Sequence, residues 1–403
     1  MVRAQRRKLI LLVGLVFLTG CWDQLEIEDV GFVMGVALDP INDQQQAGEN
    51  VNGFDINQPL FRITHQTAIP ERLTQVGGSA GSSNGEAPFV NIVSTNASNM
   101  DAARRAAAKN SRFLNFEHLK VLIIHEDLVR QGLLGHLVDF YIRDHQMRRK
   151  TFVFISDVEG KAILEKTVPL EDIPALFMEK LSENDPNVLQ MPKVKEIGEL
   201  SQNIIEHQSY IVPRITMGPN EGDYVMTGAA VFRGGDDRMV GWLGEYDLQG
   251  YNWMVGEAKN GVLHVGIEEQ GRQKTVVFET DQMITNVHYE RENGQDRFKV
   301  NIEAKGTIVE SWLEELELEG AKVKKAIEEK IEKQANDIVR KTQEEFQVDI
   351  FDFINFIKHS DYPYWEKVKD TWSDEDGQYK DVQIDISASV KIRHQMLQEN
   401  VDY

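Results

Sequence analysis

The sequence predicts an α+β protein of three domains, each a mixed or antiparallel sheet packed with helices, behind a cleaved signal peptide of the lipoprotein type. Three observations carry this. A strand–helix–strand succession between Val121 and Ile155 marks a parallel unit in the first half. Alternating apolar runs around an Asn-Gly turn mark antiparallel pairing in the last third. A one-sided apolar stripe from Val323 to Phe346 marks a long helix to cover that sheet. A chain of 403 residues is longer than one core usually serves. The expected divisions are a signal peptide over 1–20, an N-terminal α/β domain over 21–200, a small central β-rich domain over 201–265, and a C-terminal α+β domain with the long helix over 266–403.

The first twenty residues read as a leader. Arg3, Arg6, Arg7 and Lys8 form a positive stretch without an acid, and an uncharged apolar run from Leu9 to Leu18 follows. A run of about ten residues is half of the roughly twenty a spanning helix needs. Leu18-Thr19-Gly20-Cys21 then places small residues before a cysteine, the order of a bacterial lipobox. Cys21 is the only cysteine in the chain, so it has no internal disulfide partner. Acylation of its sulfur accounts for that count, and two or more acyl chains anchor a protein stably. Cys21 is the candidate lipidation site, and a globular body tethered to a membrane is expected after it.

The formal net charge is −21, and removing the four positive charges of the leader leaves −21 − 4 = −25. So acidic a body argues against a nucleic-acid partner and against lying flat on anionic lipid. After Leu18 no stretch is long and apolar enough to span a bilayer.

Along the chain, Val30 to Leu38 reads as a buried strand ended by Asp39-Pro40, with glycines that permit close backbone approach. After a polar loop from Asn42 to Asn52, Phe54 to Ile56 and Leu60 to Thr64 suggest an antiparallel partner interrupted at Pro59. Gly77 to Gly85 is a flexible loop. Within it Gly81-Ser82-Ser83-Asn84-Gly85 matches the G-x-S-x-G nucleophile elbow, but that motif needs a strand before it and a helix after it, and glycine and serine stand there instead. Ala-rich Asn99 to Lys109 predicts a helix, capped by Ser98 or Asn99 and favoured by Asp101 in its first turn. Val121 to Ile124 is a short strand, Asp127 to Arg143 an amphipathic helix, Thr151 to Ile155 a strand and Lys161 to Glu165 a short helix. His118, His125, His136 and His145 cluster in sequence here. His125-Glu126 begins like H-E-x-x-H, but the second histidine position is Val129, so the zinc motif fails and no metal or other cofactor is implied.

Pro169, Pro174, Pro186 and Pro192 punctuate a stretch with a helix near Leu176 to Asn184. Tyr210 to Ile215 then opens the central domain. Met226 to Arg233 and Arg238 to Leu243, joined by Gly234-Gly235-Asp236-Asp237, form a hairpin. Leu248, Tyr251, Trp253 and Met254 are expected in a core rather than as partner anchors. Thr275 to Phe278, Ile284 to Tyr289 and Phe298 to Ala304 read as three strands, the last two joined by Glu292-Asn293-Gly294. The long helix is expected from near Leu313, with Val323, Ile327, Ile331, Ala335, Ile338 and Phe346 buried and Glu329–Lys333 paired on the outside. A short helix starts at Asp361 with Pro363 early in it, and Val382 to Ile392 is the last strand.

Several of these residues together resemble one family. Cys21 is followed by Trp22-Asp23 and a strand ending in Asp39. Gly228 to Phe232 precedes Val240 to Leu243, and Tyr362-Pro363-Tyr364-Trp365 with Trp372 leads into Val390 to Arg393. The order and spacing resemble the Ger(x)C family, the lipoprotein C subunits of GerA-type nutrient germinant receptors in endospore-forming bacteria. Members often carry a glycine after the last basic pair, where this chain has His394-Gln395-Met396. The resemblance implies a three-domain α+β lipoprotein on the outer face of the spore inner membrane. It would act beside two integral-membrane subunits, A and B, in a complex that senses a small-molecule germinant. It implies no catalytic residues, and only the lipid role carries over, to Cys21. A non-enzymatic receptor subunit is thus the leading expectation. A solute-binding lipoprotein of a transporter would need two similar lobes around a cleft, and the last third does not repeat the first. A tethered hydrolase would need a base beside its nucleophile, and its formal motif, at Ser83, sits in a loop.

Overall fold

The computed structural model describes residues 30–41, 59–72, 87–109, 111–166, 168, 170–183, 188–220, 223–257, 260–314 and 320–393. Cys21 with its leader, Trp22-Asp23, Phe54 to Ile56, the Gly77 to Gly85 loop with Ser83, and His394 to Met396 lie outside them.

The α+β class holds. The chain begins with strands β1 (Val30–Pro40), β2 (Phe61–Ala68) and β3 (Phe89–Asn96), then helix α1 (Asn99–Lys109), β4 (Phe113–Asn115) and β5 (Val121–His125). Helices α2 (Glu126–Val129) and α3 (Leu134–Arg143) lead to β6 (Phe152–Ser156), α4 (Gly160–Glu165), α5 (Pro174–Ser182), β7 (Lys195–Glu196) and α6 (Ile197–Ile205). The strands form one sheet in the order β3-β2-β1-β5-β6-β7, with β4 alongside β1. β1, β5 and β6 are mutually parallel, as the strand–helix–strand reading requires. Helices cover both faces: Ala102, Leu134, Leu137 and Leu200 belong to one apolar cluster, and Ile163, Leu164, Ala175 and Met178 to the other. Gly35 of β1 lets a helix approach, since a Cβ there would lie 3.0 Å from both Ala175 Cβ and Leu164 Cδ2.

Asp39 closes β1 at the centre of this sheet. It is fully buried, and its carboxylate accepts the N–H groups of Gly160 at 2.6 Å and Lys161 at 3.0 Å, fixing the start of α4. Burial pushes its pKa above the usual carboxylate value. Asp39→Ala orphans both donors and should cost about 1–3 kcal/mol. A urea midpoint equal to wild type would show that this carboxylate does not hold α4.

The predicted Asp127 to Arg143 helix is two helices. Gly132 takes φ +74° between them, a conformation cheap only for glycine, and breaks the run. β3 is half-exposed and carries its apolar residues as adjacent pairs, Phe89-Val90 and Ile92-Val93, so no clean alternation marks a strand there.

Strands β8 (Tyr210–Pro213), β9 (Thr216–Met217), β10 (Tyr224–Val225), β11 (Ala229–Arg233) and β12 (Arg238–Leu243) follow. β12-β11-β8 form a three-stranded sheet, the predicted hairpin plus one strand. Its two faces belong to different cores. Ala230, Phe232 and Met239 pack with the N-terminal helices, while Ala229, Val231 and Leu243 pack with the C-terminal residues. Alternation along one strand therefore joins two bodies.

Helix α7 (Glu245–Val255) follows, with Leu248, Trp253 and Met254 in the larger core as expected and Tyr246 at 40% exposure on its outer side. Strands β13 (Val262–Glu269), β14 (Arg272–Glu292) and β15 (Gln295–Ser311) come next. The two runs around Thr275 and Ile284 are one 21-residue strand, kept continuous by irregularities at Val277/Phe278 and Thr280/Gln282. Asn293 and Gly294 make the β14–β15 turn at φ 52° and 83°. The long helix α8 starts at Gly320 among the described residues, and Leu313 lies in the segment after β15. The whole predicted stripe is buried. Glu329 pairs at 3.3 Å with Lys325 rather than with Lys333, which instead meets Asp337 at 2.6 Å. Helices α9 (Phe353–Ser360) and α10 (Tyr362–Val368) precede β16 (Gln383–Ile392), which lies parallel to β15 at the sheet edge. Glu328 and Glu332 of α8 accept the Val390 and Ala388 N–H groups at 2.9 Å each, covering part of that edge.

Candidate functional site

The four histidines do not converge. His118 is exposed and meets Phe32 edge-on at 5.2 Å. His125 caps α2, its Nδ1 accepting the Asp127 N–H at 3.2 Å. His136 lies on α3 beside a groove, and His145 is exposed beyond that helix. Among the described residues no three His, Cys, Asp or Glu side chains are grouped to hold a metal ion. A fifth histidine, His65 in β2, is fully buried with neither ring nitrogen partnered among the described residues, and burial lowers its pKa to about 4. It is neutral there and packs on Phe116.

The structure brings the turn of the central hairpin against a segment that carried the resemblance, through Trp365 and Trp372. Gly234-Gly235 of that turn and the region from Asp349 to Asp374 border a cleft of about 520 Å³, with His207 and Gln208 on its rim. On one wall Trp372 is buried, and its indole N–H donates to Asp349 Oδ2 at 2.9 Å. The Ile354 N–H donates to the same oxygen at 2.9 Å, and the Phe351 N–H to Oδ1 at 3.0 Å. Burial nevertheless raises the Asp349 pKa to about 6. Trp365 lies near the mouth with Lys358 and Lys369 at 4.8 and 4.9 Å from its ring. Tyr364 faces away: its hydroxyl donates to Asp296 Oδ2 at 2.6 Å, while Tyr289 donates to Oδ1 at 2.7 Å, tying α10 to the β14–β15 hairpin.

Trp242 makes the link on the other side of the central sheet. Its indole N–H donates to Glu126 Oε2 at 3.1 Å, and the Arg214 guanidinium lies 5.3 Å from its ring. The motif residues thus act chiefly as joints between layers. The cleft can receive a polar group, with two lysines, an indole and a buried acid at hand. Sequence reasoning passed over Asp349. Its signal is an acid between Val348 and Ile350, inside an otherwise apolar run.

A second groove, about 650 Å³, runs between the start of α1 and the length of α3, lined by Phe61, Met100, Leu133, His136 and Phe140 among others. Its floor is pinned by Asn99, whose Nδ2 donates to the Leu137 carbonyl at 3.0 Å. No described helix is long and apolar enough to cross a membrane.

Two family profiles match the chain. One, described as the spore germination protein N-terminal domain, covers residues 23–217, and the other, described as spore germination B3/GerAC like, C-terminal, covers residues 227–396. The chain belongs to the Ger(x)C family. Among Ger(x)C relatives from Bacillus subtilis (strain 168), the spore germination protein YndF is 25% identical over 390 residues, covering 94% of each chain. Spore germination protein B3 is 25% identical over 93% of this chain and 94% of its own. Spore germination protein KC is 24% identical over 99% and 98%. The crystal structure of the GerBC protein has the same fold, with a TM-score of 0.57 at 21% identity, covering 92% of this chain and all of that one. Ger(x)C proteins are a spore germination family and not a known enzyme family.

Proposed function

We propose that this chain is a membrane-anchored, non-enzymatic subunit of a spore nutrient germinant receptor. The observation that carries the reading is the match of spore germination profiles to both halves of the chain, with relatives aligned over nearly their full lengths. Cys21 holds the lipid, on the outer face of the spore inner membrane, and two integral-membrane subunits, A and B, are its partners. The lipid confines the body to the layer where those partners sit and so raises its effective concentration toward them. The germinant is bound by the complex.

Cys21→Ala tests this. Mass spectrometry of the wild-type N-terminal peptide should show an acylated Cys21. The variant should fold, accumulate and leave the membrane fraction, with a weakened nutrient response. A normal response from abundant, unanchored variant would overturn the role of the anchor. Gentle-detergent purification should recover two polytopic membrane proteins in stoichiometric amount. Recovery of a transport ATPase and permease instead would overturn the receptor reading.

A further inference from the structure

The two ends of the N-terminal sheet differ in how their charges are paired. β1, β5 and β6 run parallel, so their starts lie at one end of the sheet and their finishes at the other. The finishing end carries Asp39, Glu126, Asp127, Asp157 and Glu159, three of them met by bases: Glu126 by Arg130 at 2.8 Å, Glu159 by Arg62 at 3.0 Å, and Asp157 by Arg214. The starting end receives the C-terminus of α3 and the loop into β6. From Ile142 to Phe152 this stretch holds Arg143, Arg148, Arg149 and Lys150 against one acid, Asp144. Arg148, Arg149 and Lys150 are exposed, and no described carboxylate pairs with them. Further acids near this end are met by bases: Glu71 by Arg112 at 2.6 Å, Asp139 by Arg143 at 2.6 Å, Glu179 by Lys120 at 2.7 Å and Glu199 by Lys193 at 3.4 Å, while Glu196 lies opposite Phe152 on β7. Glu117 is exposed there as well. Phe113, paired with Val30 across β4 and β1, stands 60% exposed at the same end.

This end is also where the chain arrives from Cys21. Nine Cα steps separate Cys21 from Val30, a reach of at most about 30 Å. We infer that the starting end of the N-terminal sheet, with Arg148, Arg149 and Lys150 as its charge and Phe113 as an interfacial aromatic, docks on the anionic lipid headgroups of the leaflet that holds Cys21. The inference rests on the anchor reading for its geometry. The net −21 sums over the whole chain, whereas a membrane surface feels charges within a Debye length, about 8 Å at physiological salt. The stretch from Arg143 to Lys150 is locally positive, so an acidic protein can still present a basic foot. An aromatic side chain at headgroup depth adds to such contact.

The test uses unlipidated protein: the chain without residues 1–20 and with Cys21→Ser, which keeps every described element. Vesicles of phosphatidylcholine alone are compared with vesicles in which about one third is phosphatidylglycerol, by co-sedimentation. Partitioning onto the anionic vesicles should exceed that onto neutral ones by about a hundredfold or more and fall as salt is raised. Each basic residue near an anionic surface contributes about fivefold, so R148Q/R149Q/K150Q should lose about a hundredfold, with the wild-type melting curve retained. K324Q/K325Q, on the far-side helix α8, should bind as wild type. Equal partitioning on the two vesicles, or triple-variant binding equal to wild type, would overturn the inference. So would an equal loss in K324Q/K325Q. Because no lipid is attached, the outcome is independent of acylation. Absent vesicle binding alongside an acylated native Cys21 overturns the docking alone, and vesicle binding alongside an unmodified Cys21 overturns the anchor alone.

Discussion

Gly250→Val should destabilise the folded protein by about 3 kcal/mol, a large part of the roughly 5–15 kcal/mol a folded domain has. Gly250 sits on α7 where it crosses α8. A Cβ at this position would lie 2.3 Å from the Gln334 backbone oxygen and 2.9 Å from Ile338 Cγ2. The nearer atom is main chain, so it cannot swing aside as a flexible side chain would. The helices would have to separate, and separation would break the Trp253 indole bond to Gln334 Oε1, 2.9 Å and fully buried. Urea unfolding checks this. Gly250→Ala should move the midpoint in the same direction by less, and a wild-type midpoint for the valine variant would mean that the helices do not touch there.

Trp372 is the second position of large effect. Trp372→Ala removes a buried indole, which should cost about 3–5 kcal/mol. Trp372→Phe keeps most of the volume and removes the donor to Asp349, so about 1–3 kcal/mol is expected. The two variants separate packing from hydrogen bonding. They also differ from other core substitutions in their pH dependence. Asp349 has its pKa raised from 3.8 to about 6, so between those values the folded protein holds a proton that the unfolded chain releases. Stability from this group is therefore greatest below pH 4, falls as pH rises through the window, and levels off above 6. The indole N–H stabilises the carboxylate, so its loss in Trp372→Phe should push the folded pKa higher and extend the falling limb upward in pH. Parallel stability curves for wild type and Trp372→Phe would show that Trp372 does not govern this titration.

Much of the architecture is legible in the residues because burial on one side leaves a periodic trace. The α8 stripe from Val323 onward is such a trace, and so is the alternation of β15 and β16. Where burial is two-sided or slight, the trace disappears. β3 is half-exposed along most of its length, and its sequence carries no clean strand signal. The Gly132 break is hidden inside a good helical pattern, because the amphipathic period continues across it. Long-range choices are hidden too: Glu329 had two lysines within helical reach, and only the packed helix shows it turned toward Lys325. The cleft was legible in part. Trp365 and Trp372 stood out as motif residues, but their partner Asp349 is identified only when the chain is folded around it. The charge sum concealed the most. A single net value cannot report that the basic residues near 148–150 and the acids near 157–159 lie at opposite ends of the same strands.

The shared central sheet has a mechanical consequence. A layer with Phe232 sealed into one core and Val231 into the other cannot act as a hinge, because bending it would open an apolar face to water on one side. The Trp242–Glu126 and Asn252–Leu189 bonds brace the same junction like cross-struts. A tilt imposed at the foot would therefore turn both cores together rather than bend the junction between them.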